Sequence, residues 1–310
     1  MLNAKESRGR TSSSTGIVTP IGASTLRRLW FAVALTGCEV AAIESGDEPE
    51  TGTEHEHDAD DVGALGAAGA GDRYSCVTTS QPGCNFDVGI GESLFGAAEC
   101  TSGVDFHVTS RDQDRSQPLV LAIHGGKIED GTAQLASLLV AELGWDSYVF
   151  RATPTSATCD SASWMHVTST RFNSATARAL ARSHPAAVSL HGYSETNPAR
   201  AGWPQDRWFV CVGGDRAQAR AAFIAALNQP AFSIDGRRVR AIDATTAGSA
   251  TANVCGGLGG TGTTNIANLP PGGGLQLELP RRLRARVAGL DGLARSSTLR
   301  ARLVDAVDAA

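Results

Sequence analysis

Apolar and polar positions change their period several times along the chain, and each change marks an element. Val104–Thr109 alternates with period two, as a half-buried strand does. Leu119–Ile123 is a continuous apolar run of the kind a fully buried strand presents. From Thr132 to Leu143 the spacing becomes helical, with Leu135, Leu138, Leu139 and Leu143 on one face and Asp130 or Thr132 available as a cap. Short strands are predicted at Tyr148–Ala152 and Met165–Thr170, then a helix at Ala175–Ser183 stopped by His184-Pro185. Ala187–Leu190 reads as a strand ending at His191, Trp208–Val212 as a strand and Arg216–Leu227 as a helix. Leu275–Leu279 alternates as a last strand, and Arg281–Asp308 reads as helical. Strands and helices alternate throughout. That order predicts a mixed α/β fold with a largely parallel central sheet and helices on both faces. Sites in such folds form beyond the carboxyl ends of the strands. His124, His191 and, less cleanly, Glu278 fall there.

Upstream of Tyr74 the texture differs. Arg27-Arg28 precedes the apolar run Leu29–Thr36 and then Gly37-Cys38, the layout of a secretory signal and too short to span a bilayer. Leu35-Thr36-Gly37-Cys38 resembles a bacterial lipobox, in which Cys38 would be lipidated; an ordinary cleavage site or a twin-arginine signal shares parts of the pattern. Residues 39–73 are acidic and then rich in Gly and Ala, a composition that cannot offset the entropy cost of ordering and so predicts a flexible tether. The expected organisation is a signal segment at 1–38, a tether at 39–73 and one domain at 74–310. The domain would be exported and lipid-anchored to a bacterial membrane, in the periplasm or at the cell surface.

Cysteine use agrees with export. Setting Cys38 aside leaves Cys76, Cys84, Cys100, Cys159, Cys211 and Cys255, with no CxxC pair, which allows up to three disulfides and leaves their pairing open. A net charge of −5, with no long basic run before the C-terminal tail, excludes nucleic acid as the principal partner.

The candidate chemistry lies in Leu119–Glu129, read L-V-L-A-I-H-G-G-K-I-E. On a helix, residues five apart point about 140° from each other. Here Gly125 and Gly126 break the chain, so His124 can sit at a strand tip and Glu129 on the loop beyond. His191, in S-L-H-G-Y, is a second strand-tip histidine before a glycine. Two imidazoles and one carboxylate leave the fourth position of a tetrahedral zinc open, as a catalytic site requires; two polar residues at loop starts would give the same pattern. In G-G-G-L-Q-L-E-L-P, Gln276 and Glu278 face away from Leu275, Leu277 and Leu279. Glu278 is therefore either a solvent-facing strand residue or a buried carboxylate with a task.

H-G-G-K-I-E-D-G-T (His124–Thr132), M-H-V-T-S-T-R-F (Met165–Phe172), V-S-L-H-G-Y (Val188–Tyr193) and G-G-L-Q-L-E-L (Gly273–Leu279) occur in that order. Together they resemble the poly-γ-glutamate hydrolase family, first known from phages and related in fold to the zinc carboxypeptidases. The resemblance covers roughly Cys76–Arg284. It implies one Zn2+ held by His124, Glu129 and His191, with Glu278 as general base and then general acid in the hydrolysis of γ-glutamyl amide bonds. It also makes His166, Arg171 and Tyr193 candidates for substrate contact; a buried strand histidine, a surface ion pair and a packing tyrosine are the other readings. One position departs from the family: Asn265-Ile266-Ala267-Asn268 is followed by Leu269, where an arginine is expected. The partner implied is a γ-glutamyl polymer or peptide. A cell-wall peptide amidase or carboxypeptidase, or a non-catalytic surface binding module, would use the same scaffold.

Overall fold

The continuous apolar run Leu119–Ile123 lies inside a sheet, buried at every position, as its pattern predicts. In the computed structural model, which describes residues 100–156, 159, 165–195, 203–246 and 254–310, two central strands are buried at every residue. These are β4 (Ala187–Tyr193) and β8 (Gly274–Pro280). The other strands are β1 (Phe106–Arg111), β2 (Leu119–Gly126), β3 (Asp146–Ala152), β5 (Arg207–Gly213), β6 (Ser233–Ile234) and β7 (Arg237–Asp243). They form one eight-stranded sheet of order β1-β3-β2-β4-β8-β5-β7-β6. β3, β2, β4 and β8 run parallel, while β5 pairs antiparallel with β8 and carries β7 parallel to itself. Only the central block thus presents its carboxyl ends together. The predicted signal segment with Cys38, the tether, the domain start near Tyr74, Cys76 and Cys84 lie outside the described residues.

Two layers cover the sheet. On one face α1 (Thr132–Leu143), α3 (Ala217–Asn228), α4 (Arg281–Ala288) and α5 (Ser297–Asp308) pack over Val120, Ala122, Val188, Leu190, Leu275, Leu277 and Leu279. On the other, α2 (Ala175–Ser183) and a short 3-10 helix (Ile266–Asn268) cover Leu119, Leu121, Ile123, Tyr148 and Phe150. A smaller cluster of Tyr193, Cys211, Cys255 and Leu258 lies towards β5. Disulfides Cys100–Cys159 and Cys211–Cys255 close the described part of the chain.

Several predicted elements differ. The first strand begins at Phe106, because Val104 lies in a turn and is half exposed. Met165–Thr170 is a loop, although Met165 and Val167 are buried: its apolar positions anchor an irregular segment over the sheet. The long C-terminal helix is two helices. Gly289, at φ 76°, caps α4 by donating to the Ala285 carbonyl, and Ser296 caps α5 by accepting from Leu299. The helix α1 starts from Gly131 without a side-chain cap; the Thr132 hydroxyl instead donates to the Glu129 carbonyl at 2.9 Å. β7 was hidden by its arginines, but Asp235-Gly236 joins it to β6 with both φ angles positive, the geometry of a two-residue type I′ hairpin.

That hairpin is pinned to α4. Asp235 accepts from Arg282 Nε at 2.6 Å and from the Arg286 guanidinium. Arg286 above all, then Arg282, overcome the opposing effect of burial and hold the carboxyl at about 2. A depressed carboxylate pKa contributes stability above the unfolded value of about 3.9 and loses it as pH falls through the folded value. Asp235→Asn is expected to lower unfolding free energy at neutral pH by about 1–2 kcal/mol. Chemical denaturation across pH should show the gap to wild type closing between about pH 4 and pH 2; a pH-independent gap would remove Asp235 from this role.

Candidate metal and catalytic site

A bulge aims the first histidine. β2 pairs with β3 in regular register through Ala122↔Val149, then resumes one residue later at Gly125↔Arg151. The extra residue leaves Ile123 and His124 on the same face, the one carrying α2, while Gly125 turns to α1. A Cβ at Gly125 would stand 2.6 Å from the Phe150 carbonyl oxygen and 2.9 Å from Ala133 Cβ, so glycine is required. Gly126 follows at φ +71°. The chain then closes on itself: Glu129 N–H donates to the His124 carbonyl at 2.9 Å.

His191 reaches the same place from β4. His124, Glu129 and His191 are all buried, and their donor atoms converge. His124 Nδ1 lies 3.0 Å from Glu129 Oε1 and 3.1 Å from His191 Nδ1, and His191 Nδ1 lies 3.7 Å from Glu129 Oε2. Ligands about 2.0–2.1 Å from a tetrahedral ion stand about 3.3–3.4 Å apart, so this triangle has the right size.

The outer ring nitrogen of His124 indicates its tautomer. His124 Nε2 is 2.7 Å from the Val167 carbonyl, an acceptor only, so that nitrogen carries the hydrogen. In the neutral ring Nδ1 is then a lone pair facing a carboxylate oxygen at 3.0 Å, and two acceptors so close need a proton or a cation between them. His191 Nε2 meets the hydroxyls of Ser189 and Ser169 at 2.9 and 3.1 Å. Glu129 Oε2 accepts from the Gly192 N–H at 2.9 Å. Each donor is oriented by a second partner, as metal ligands are. The residues fit a metal ion.

Glu278 sits beside this triangle. It is the register partner of His191 across the parallel β4–β8 pair, on the face opposite Leu277 and Leu279, and is buried. Its orientation has a traceable cause. The Ala267 N–H donates to Asn265 Oδ1 at 2.9 Å, so the Asn265 amide nitrogen must point away and donates to Gln276 Oε1 at 2.8 Å. Gln276 Nε2 in turn donates to Glu278 Oε1 at 2.9 Å. One backbone N–H therefore sets the sense of the chain and commits Oε1 as an acceptor. The sequence puts Gln276 on the face of Glu278 and Asn265 in an N-I-x-N segment, but gives neither residue this role.

Arg284 was missed as well. It is buried on the α4 side, where Nη1 donates to the Asp130 carbonyl at 2.7 Å and Nε to the Leu279 carbonyl at 3.2 Å. Burial holds its pKa below the usual guanidinium value, while the charges of Glu129, Glu195, Asp130 and Glu278 act the other way. Gly192 makes room: a Cβ there would lie 2.2 Å from the Arg284 guanidinium carbon.

The remaining predicted residues spread around the centre. His166 stands edge-on to His124, with ring centroids 4.4 Å apart, and its Nε2 is 3.9 Å from Glu129 Oε1. Arg171 is exposed on the loop that carries Val167 and Ser169. Tyr193 is buried; its hydroxyl donates to the Phe209 carbonyl at 2.6 Å and its ring packs on Trp203, so it serves packing rather than presenting its hydroxyl to the site. Leu269 is half-buried against the apolar cluster beneath α2. A second convergent group, Asp112, Asp146 and His184, is already neutralised. Arg115 grips both oxygens of Asp112, and Arg111 lies 3.6 Å from Asp146.

The arrangement defines a class: an α/β protein with a His-Glu-His metal-type site at the carboxyl ends of its central strands and a buried carboxylate beside it. The chain belongs to the poly-γ-glutamate hydrolase family, whose pattern matches residues 97–299. Among curated relatives it is 34% identical over 115 residues to the UPF0714 protein YndL of Bacillus subtilis (strain 168), covering 37% of this chain and 39% of YndL. It is 30% identical over 137 residues to the SPbeta prophage-derived UPF0714 protein YoqZ of the same strain, covering 44% of each. The match thus spans less than half the length of either relative. Among solved structures, a zinc-free form of YndL superposes with a TM-score of 0.50 at 24% identity, covering 66% of this chain and 88% of that one, which supports the fold. A bacteriophage poly-γ-glutamate hydrolase gives a TM-score of 0.47 at 27% identity, covering 67% and 86%.

Because the donors converge only in the folded chain, metal binding should stabilise it. Adding a divalent transition metal to metal-stripped protein is expected to raise the thermal midpoint, and His191→Ala should abolish the rise. An equal rise in the variant would place the metal elsewhere.

Proposed function

We propose that this chain is a zinc-dependent amidohydrolase that cleaves γ-glutamyl amide bonds in poly-γ-glutamate or a similar polymer. The observation that carries the proposal is the meeting of three buried metal-type donors with a buried, oriented carboxylate, Glu278, on one strand register. Zinc bound there would supply Lewis acidity, activating water and polarising the amide carbonyl. Glu278 is the base. With Oε1 committed to Gln276, a proton drawn from the attacking water sits on Oε2 and passes from there to the leaving amide nitrogen. We assign to His166, which packs against His124 and is partly exposed, the donation to the oxygen that gains charge. Arg171, exposed further along the same loop, offers a fork that matches a substrate carboxylate.

Leu269 favours a second reading of the substrate. With leucine where the resemblance implies an arginine, a charge for a substrate carboxylate would be lost, whereas metal donors and base remain. Amide hydrolysis is then kept better than preference for the polymer, and cell-wall peptides containing γ-linked glutamate are the alternative substrate. The disulfides suit an oxidising compartment, and we place the domain outside the cytoplasm, anchored through Cys38. Palmitate labelling in bacterial cells should disappear in Cys38→Ala, and unchanged labelling would refute the anchor.

The mechanism is tested at its base. Glu278→Gln should retain about one equivalent of zinc and lose at least about 10²-fold in rate on γ-glutamyl substrates. Near-normal turnover by that variant would exclude Glu278 as the base. Less than about half an equivalent of zinc in wild type, with no gain on zinc addition, would exclude the metal reading.

A further inference from the structure

Between Met165 and Ser194 the chain holds Arg171, Arg178 and Arg182 but no aspartate or glutamate, in a protein of net charge −5. These arginines share one side of the molecule. The helix α2 buries Ala177, Leu180 and Ala181, which leaves Arg178 and Arg182, one helical turn apart, in the row flanking the buried one. Arg182 and Arg171 are exposed and Arg178 is half-buried. Arg178 Nη1 donates to the Phe172 carbonyl at 3.3 Å, so its guanidinium lies against the residue next to Arg171. That loop is the one whose Val167 carbonyl holds His124 and whose Ser169 hydroxyl meets His191.

Among the described residues no carboxylate neutralises the row. None of the three arginines forms an ion pair with a carboxylate among the described residues. Burial first, and the like charge of Arg182 second, hold Arg178 below its usual pKa. An isolated structural arginine finds an acid partner or full solvent; here one cation is partly desolvated beside another. A ligand with regularly spaced carboxylates would relieve both costs at once.

We propose that Arg171, Arg178 and Arg182 form a docking surface for a polyanion with one carboxylate per residue, leading from the far end of α2 to the metal-type site. This rests on the poly-γ-glutamate reading of that site, since a γ-linked chain leaves each α-carboxylate free. The surface holds the part of the polymer beyond the scissile bond and raises the encounter rate with long chains, while short substrates never reach it.

The test is Arg178→Gln with Arg182→Gln, beside Arg182→Gln alone and the double lysine variant, assayed on long poly-γ-glutamate and on a γ-glutamyl tripeptide. The double glutamine variant should raise KM for the polymer about fivefold or more at low ionic strength with kcat unchanged, and leave the tripeptide unaffected. The difference should shrink at about 0.5 M salt, where surface charges are screened. Arg182→Gln should show part of the effect, and the lysine variant should recover most of it. A polymer KM within about twofold of wild type would overturn the surface while leaving the reaction standing. Binding of the polymer to Glu278→Gln, with and without the arginine substitutions, separates the two readings. If wild type cleaves no γ-glutamyl bond yet the polymer binds and the substitutions weaken it, the surface stands and the proposed reaction falls. Absence of polymer binding to every form overturns the surface.

Discussion

The constraint on which this structure depends is the approach of lone pairs in a buried space. His124 Nδ1 and Glu129 Oε1 stand 3.0 Å apart, with His191 Nδ1 at 3.1 Å from the same imidazole nitrogen, and all three residues are buried. A lone pair on His124 Nδ1 and a carboxylate oxygen at that distance repel unless a proton or a cation lies between them, and burial weakens screening by solvent. The fold holds them there all the same. Much of what surrounds the site can be understood as the means: the β2 bulge, the Gly192 N–H on Glu129, the serines on His191 and the Val167 carbonyl on His124 each remove one freedom from one donor.

The support extends through the sheet. Arg284 ties the Asp130 and Leu279 carbonyls from the opposite face, and Gly192 is the opening that lets its guanidinium approach β4. β8 leads directly into α4, so Glu278, Arg284 and the helix that locks the β6–β7 hairpin belong to one continuous stretch of chain. A rigid centre of this kind suits hydrolysis by preorganised groups, since little rearrangement remains to be done at the moment of reaction. Arg171 lies exposed on the loop that carries Val167 and Ser169.

How much of this was legible in the sequence depends on which residues are considered. His124, His191 and Glu278 stood out as strand-tip histidines before glycine and a carboxylate in an apolar strand, but the ligand and base roles, Glu129 included, came from the family resemblance; the structure brings the four together. The strands β2, β4 and β8 and the helices α1 and α2 were equally readable from their periods. The bulge was not, since an all-apolar run has no alternation to break. β7 hid because three arginines diluted its pattern, and the loop at Met165–Thr170 passed for a strand because buried irregular backbone uses the same apolar residues. Arg284, Gln276 and Asn265 act through partners distant in sequence, and His184 is buried against Asp146 for the same kind of reason. Such pairings are settled only when the chain is folded.

The central claim is that the three donors hold zinc, and X-ray absorption at the zinc edge on the purified, fully folded chain tests it most directly. The expected spectrum is one zinc per chain in a shell of nitrogen and oxygen at about 2.0–2.1 Å, with an imidazole scattering pattern and no sulfur. A shell containing sulfur at about 2.3 Å, or a chain that retains no zinc, would contradict the account.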